Sequence, residues 1–212
     1  MHANELTRRG FTALLLTAAL ARRAAAALPP TQAQLVGRVE AYFNGFVTLQ
    51  ATFRQLAPDG GLSTGKLYID RNREAMRFSY DPPSKIRLIA PGDWRLIFYD
   101  GSIQQVNVLP ISKTPLGFIL NEHVTLAGDV TVESVRERGP EIDLTLYRTD
   151  APDQGRVMLT LASDPMQLSR WAVTDAQGLT TTITLENLQT GMPLDRSLFV
   201  WRDPKMFGFP KD

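Results

Sequence analysis

The residues of this chain with a chemistry to offer are large and apolar, and they recur at a spacing of two. Met76, Phe78 and Tyr80 fall on one face of an extended segment. Ile86 with Leu88, and Leu96 with Phe98, repeat the pattern in the segments that follow. Alternate residues of a strand share a face, so such strands together present a surface of methionine and aromatic side chains. That surface solvates hydrocarbon. Each CH₂ it buries contributes roughly 0.8 kcal/mol, and the unbranched Met adapts to varied shapes. On the residues alone two arrangements are open: a core filled by the chain itself, or a cavity that takes acyl chains.

Reactive chemistry has little to work with. The histidines are His2 and His123, and the chain contains no cysteine. It has no G-x-S-x-G elbow, no H-E-x-x-H, no P-loop and no G-x-G-x-x-G. Asp93, Asp100, Asp129 and Asp143 are scattered without the spacing of a calcium loop. The reading is therefore a binding protein, not an enzyme, with no catalytic residue, no cofactor and no metal.

The elements that must carry the apolar surface follow from periodicity. Leu35, Val39, Tyr42, Phe43 and Phe46 lie on one face of a helix over 35–46, with Thr31 as its cap behind Pro29-Pro30 and Asn44-Gly45 ending or bending it. The period then changes to two. Strands are expected from Leu49 onward and over 65–70, 76–80, 85–90, 94–99 and 103–109. Five more are expected over 130–136, 141–147, 157–162, 168–174 and 180–188. Turn residues separate them: Pro58-Asp59-Gly60-Gly61, Asp81-Pro82-Pro83, Pro91-Gly92, Gly139-Pro140, Asp164-Pro165 and Gln177-Gly178. The regular spacing indicates an antiparallel meander. Residues 114–120 are apolar on both parities and read as a short buried helix entered through Pro115.

Residues 1–27 read as an export signal. Arg8 and Arg9 precede an apolar stretch of 11 residues, 11–21, and Ala25-Ala26-Ala27 offers a cleavage site. At the rise of a helix that stretch spans about 16 Å, too short for a bilayer core of about 30 Å. Thr7-Arg8-Arg9-Gly10-Phe11 resembles a twin-arginine signal, and the general secretory route stays open beside it. Residues 28–212 then form one domain. The formal charge of the chain is +1, and residues 1–27 hold four arginines and one Glu, which leaves the remainder near −2. A nucleic-acid partner calls for a strongly basic domain, so none is expected.

Several segments in order resemble the outer-membrane lipoprotein carrier protein (LolA) family. They are Leu49-Gln-Ala-Thr-Phe-Arg-Gln55, then Gly65-Lys-Leu-Tyr-Ile-Asp-Arg71 followed by Met76-Arg-Phe-Ser-Tyr-Asp-Pro-Pro83. Next come Trp94-Arg-Leu-Ile-Phe-Tyr-Asp100 with Gln105-Val106, and Thr114-Pro115-Leu116. The last are Asp175 to Asn187 and Phe199 to Pro204. The similarity runs over residues 33–204. It implies a mainly β (α+β) fold, a half-open antiparallel β-barrel or strongly curved sheet with helices covering a hydrophobic cavity. It implies a monomeric periplasmic chaperone that accepts triacylated lipoproteins from an inner-membrane lipoprotein-releasing ABC complex and passes them to an outer-membrane acceptor. The alternative within the same fold is a periplasmic lipid- or lipoprotein-sensing regulatory protein. By position the cargo-binding residues are Phe43, Met76, Phe78, Leu88, Phe98 and Ile119. The family's lid-closing arginine falls on Arg71 or Arg73, and its usual Arg-Pro pair is missing here. With few residues after Trp201, the extra terminal strand that some members of the family carry is not expected here.

Overall fold

A computed structural model describes residues 28, 30–114 and 117–202. The export-signal reading, Pro115 with Leu116, and the tail after Arg202 lie outside the described residues. No helix among those described is long and apolar enough to cross a membrane.

Among the described residues eleven strands form one antiparallel sheet. In chain order they are β1 (Thr48–Leu56), β2 (Leu62–Asp70), β3 (Ala75–Tyr80), β4 (Ile86–Pro91), β5 (Arg95–Asp100), β6 (Gln105–Pro110), β7 (Val130–Arg138), β8 (Glu141–Arg148), β9 (Gly155–Ser163), β10 (Met166–Asp175) and β11 (Thr180–Thr190). Each expected strand exists, most with bounds shifted by one or two residues. The sheet is not a simple meander from one end to the other. Its order is β6-β5-β4-β3-β2-β1-β11-β10-β9-β8-β7, so β1 pairs with β11 in the middle and two meanders are joined back to back. Strands β6 and β7, consecutive in sequence, become the two outer edges. The 111–129 connection between them must cross from one edge to the other.

Period-two alternation fixes which face is buried. Leu49, Ala51 and Phe53 of β1, Leu67 and Ile69 of β2, and Met76 and Phe78 of β3 point into one apolar interior. Leu144 and Leu146 of β8, Leu159 and Leu161 of β9, and Trp171 of β10 line the other half of it. Gly65 is required opposite Phe53, because a Cβ there would come 2.1 Å from the Ser79 carbonyl oxygen and 2.8 Å from the Phe53 ring.

The cover differs from the expected set of helices. Among the described residues it is one α-helix, α1 (Pro30–Asn44), and a four-residue 3-10 turn, Gly117–Leu120. Helix α1 begins at Pro30, so Thr31 sits inside its first turn and does not cap it; a proline is well placed at the first helical position, where no N–H is needed. The stretch expected as a short buried helix is a tighter turn, and Gly117, Phe118, Ile119 and Leu120 are all buried in it. Val39 and Phe43 of α1, and Phe46 just after it, share one cluster with Phe118, Ile119, Leu120, Val124 and Leu126.

The C-terminal segment packs on the opposite, outer face. Its 3-10 turn Arg196–Phe199 lies against β3 and β4, Arg77 Nη1 donates to the Leu198 carbonyl (3.2 Å), and Trp201 meets Tyr99 at 6.0 Å between ring centres. Ile89, Ile97 and Tyr99 are buried there. Part of β3, β4 and β5 is therefore covered on its outer face as well, which is why Ile89 and Ile97, on the opposite parity from Leu88 and Leu96, are also buried.

Candidate functional site

Everything at the site depends on how the cover is held over the concave face. Arg71 follows β2 in the 3-10 turn Arg71–Arg73 and is only 4% exposed. Its guanidinium donates to both pieces of the cover. On α1 and the turn that follows it the acceptors are the carbonyls of Phe43 and Phe46 (2.9 Å to Phe46) and Asn44 Oδ1 (3.2 Å). On the 117–126 strap they are the carbonyls of Asn121 (2.8 Å from Nη2, 3.1 Å from Nε) and Glu122 (2.7 Å). A guanidinium has five N–H donors in a fixed fork and stays charged, so one side chain can serve this many oxygens. Burial lowers its pKa.

Arg73, two residues on, does something else: it is ion-paired to Asp70 at the sheet end. A 3-10 turn rotates about 120° per residue, so the two arginines leave the turn in different directions. Of the two sequence candidates, Arg71 is the one the structure bonds to the cover.

Two further side chains of α1 bind the strap through its backbone. Asn44 Nδ2 donates to the Val124 carbonyl (2.8 Å), and the Val124 N–H donates to Asn44 Oδ1 (2.9 Å). Glu40 Oε1 accepts the Leu126 N–H (2.6 Å). The helix thus carries a short polar ladder spaced at i and i+4, matching alternate residues of an extended strap. Sequence reasoning missed both; a Glu and an Asn on a helix look solvated until the strap's position is known. Tyr42 anchors the other side of α1, its hydroxyl accepting the Leu168 N–H (3.0 Å), and burial raises its pKa.

Beneath the cover, Phe43 meets Phe118 edge-on at 6.4 Å, and Phe53 meets Phe78 and Tyr80 at 5.2 and 5.0 Å. Phe43, Met76, Phe78 and Ile119, all expected at the cargo site, are buried in this one cluster. Leu88 packs against it partly buried. Phe98 pairs with Leu88 across β4 and β5, shares its face, and is half-buried next to the edge strand. In the closed arrangement the apolar interior is thus occupied by the chain's own side chains. At its far end Tyr80 donates to Gln55 Oε1 (2.7 Å), and burial pushes the phenol up to about 12.

The sheet edges do not pair, yet they are tied. Lys113, just after β6, bonds Asp150 in the β8–β9 connection (2.8 Å), and Arg148 holds the same carboxylate at 2.6 and 2.7 Å. Beside this ion pair lies a cleft of about 560 Å³, with Trp94, Ile111, Phe118 and Val130 as apolar lining and Glu74, Lys113, Asp129, Arg148 and Asp150 as charges. It opens where the two edges face each other, next to the Gly117–Leu120 turn. A larger cleft, about 680 Å³, is lined by the charged Arg77, Lys85 and Arg87 together with Ser79, Tyr80, Ile86 and the 101–104 turn.

Among the described residues no group of three His, Cys, Asp or Glu is placed to hold a metal ion, and His123 is exposed on the strap. What the arrangement can do is expose or cover an apolar surface.

Comparison with known proteins adds sequence relationships to this geometry. The profile of the family described as outer membrane lipoprotein carrier protein LolA matches residues 44–202. An outer-membrane lipoprotein carrier protein of Methylococcus capsulatus is 26% identical over 177 residues, 79% of this chain and 83% of that one. An uncharacterised protein of Rickettsia prowazekii is 24% identical over 170 residues, 80% of this chain and 78% of that one. Among solved structures, an uncharacterised conserved protein from Thermus thermophilus aligns with a TM-score of 0.48 at 12% identity, covering 80% of this chain and 94% of that one.

Proposed function

This chain belongs to the outer membrane lipoprotein carrier protein LolA family, and from that premise we propose that it is a periplasmic chaperone for lipoproteins. It takes the acyl chains of a triacylated lipoprotein from an inner-membrane ABC release complex. It shields them while crossing the periplasm and yields them to an outer-membrane acceptor. Residues 1–27 supply the export signal and are removed near Ala27.

The observation that carries the reading is Arg71. It joins α1 and the 117–126 strap through backbone carbonyls, so the cover is closed by hydrogen bonds together with buried apolar contacts, while the sheet beneath is hydrogen-bonded strand to strand independently of the cover. Such a cover can lift without dismantling the sheet. Acyl chains then replace Phe43, Phe118 and Ile119 against Met76, Phe78, Leu88 and Phe98. Each CH₂ withdrawn from water contributes roughly 0.8 kcal/mol, which offsets the lost contacts of the closed state. A carrier must release as well as bind, and a closed state within a few kcal/mol of the open one meets both needs.

The test is mass spectrometry of the protein purified from its own periplasm. Acylated polypeptides should co-purify, and the N-terminus should begin near Leu28. Full-length protein retained in the cytoplasm, or periplasmic protein that never carries acylated material during active lipoprotein export, would overturn the reading.

A further inference from the structure

Among the described residues, the interior of the sheet holds one buried side-chain polar atom that the fold leaves without a partner. Trp171, on β10, is 3% exposed, and its indole Nε1–H is buried with no hydrogen-bond acceptor. It sits among apolar neighbours: Leu159 and Ile183 are its cross-strand partners, and the Phe78 ring lies edge-on at 6.2 Å. A buried indole N–H ordinarily finds an acceptor, and a lone buried donor destabilises the state that contains it. The adjoining polar pair makes the omission specific. Tyr80 finds Gln55 at 2.7 Å, whereas the indole, in the same aromatic cluster through Phe78, finds nothing. An indole nitrogen is a donor only, so the missing group must be an acceptor.

We propose that Trp171 is a specificity-determining residue for acyl esters and amides, its N–H donating to a carbonyl oxygen that enters with the acyl chain. This rests on the carrier reading and extends it. An acyl chain brings into an apolar interior one polar group, the carbonyl at its head, and that group accepts but cannot donate. Ligand carbonyl and Trp171 N–H are therefore each unsatisfied without the other. The same N–H discriminates against alkyl chains attached through an ether, which offers no carbonyl.

The experiment compares two synthetic lipopeptides with a free N-terminal amine: one with two palmitoyl esters on its glyceryl group, the other with two hexadecyl ethers. Both are titrated into the mature wild-type protein and into Trp171→Phe, which keeps an aromatic ring. Wild type should bind the diester about tenfold more tightly, equal to ~1.4 kcal/mol. Trp171→Phe should bring the ratio to about twofold or less, by losing diester affinity alone, and should unfold at no lower denaturant concentration than wild type. A variant-free measurement runs alongside. The three tryptophans, Trp94, Trp171 and Trp201, give three indole N–H resonances, and the Trp171 signal should shift downfield with the diester but not with the diether. Equal wild-type affinity for both ligands, an unchanged ratio in Trp171→Phe, or equal weakening of both overturns the inference and leaves the carrier reading standing. Failure of wild type to bind either lipopeptide overturns the carrier reading, and this inference with it.

Discussion

Asn44 and Val124 are joined twice, the Asn44 amide donating to the Val124 carbonyl at 2.8 Å and accepting the Val124 N–H at 2.9 Å. An asparagine side chain here copies the backbone of a neighbouring strand and docks an extended strap on a helix. Val124 is fully buried, so these two backbone groups have no ready recourse to water. Asn44→Ala leaves both unpaired, and a buried polar group without a partner costs about 1–3 kcal/mol. The expected outcome is a loss of stability in that range by urea unfolding, with faster hydrogen exchange at the Val124 amide. Unchanged exchange at Val124 sinks the idea that Asn44 holds the strap.

Arg71 and Arg73 separate cleanly as a pair of mutants. Arg71→Leu leaves the carbonyls of Phe43, Phe46, Asn121 and Glu122 without their donor. The strap should detach from α1, and an environment-sensitive apolar dye should bind the cargo-free protein at least several-fold more strongly. Arg73→Leu removes the ion pair to the buried Asp70 carboxylate, which should lower stability but bonds no part of the cover, so dye binding should stay at the wild-type level. Arg71→Lys, with fewer and less fixed donors, should fall between. If Arg73→Leu opens the protein and Arg71→Leu does not, the assignment of the latch is reversed.

Acid should loosen the ion pair across the sheet opening. Hydrogen bonding from Lys113, with Arg148 adding to it, holds the Asp150 carboxyl below the ordinary carboxylate range. A group whose folded pKa is depressed adds stability above its unfolded pKa, and that contribution disappears as pH falls through the folded value. The tie should therefore be intact above about pH 4 and lost below it, and salt should weaken it at neutral pH because the groups are exposed. Protection factors in the 111–114 segment, which correct for the intrinsic pH dependence of exchange, should fall in wild type as the pH drops below about 4. In Asp150→Asn the protection should already be reduced at pH 7 and should change little as the pH falls below about 4. Matching profiles for the two proteins rule out Asp150 as the titrating group. Asp129 and Glu74 border the same cleft, and their neutral variants serve as controls.

The sequence by itself determined the local layer of this protein. Eleven alternating segments and their turns were legible because a half-buried strand writes its burial at every second residue. Met76 and Phe78 were legible as interior for the same reason, Phe43 through the helical period, and Ile119 through the resemblance. Segment-level similarity carried the rest of the site reading, including the restriction of the latch to Arg71 or Arg73. Tertiary structure decided the remainder. Pairing of β1 with β11 joins residues more than a hundred positions apart, and no local pattern encodes it. That pairing makes β6 and β7 opposite edges and sends the 111–129 connection across the concave face. Only then do Arg71, Asn44 and Glu40 acquire carbonyls and N–H groups to bind, because their partners are backbone atoms, which every residue possesses and no sequence distinguishes.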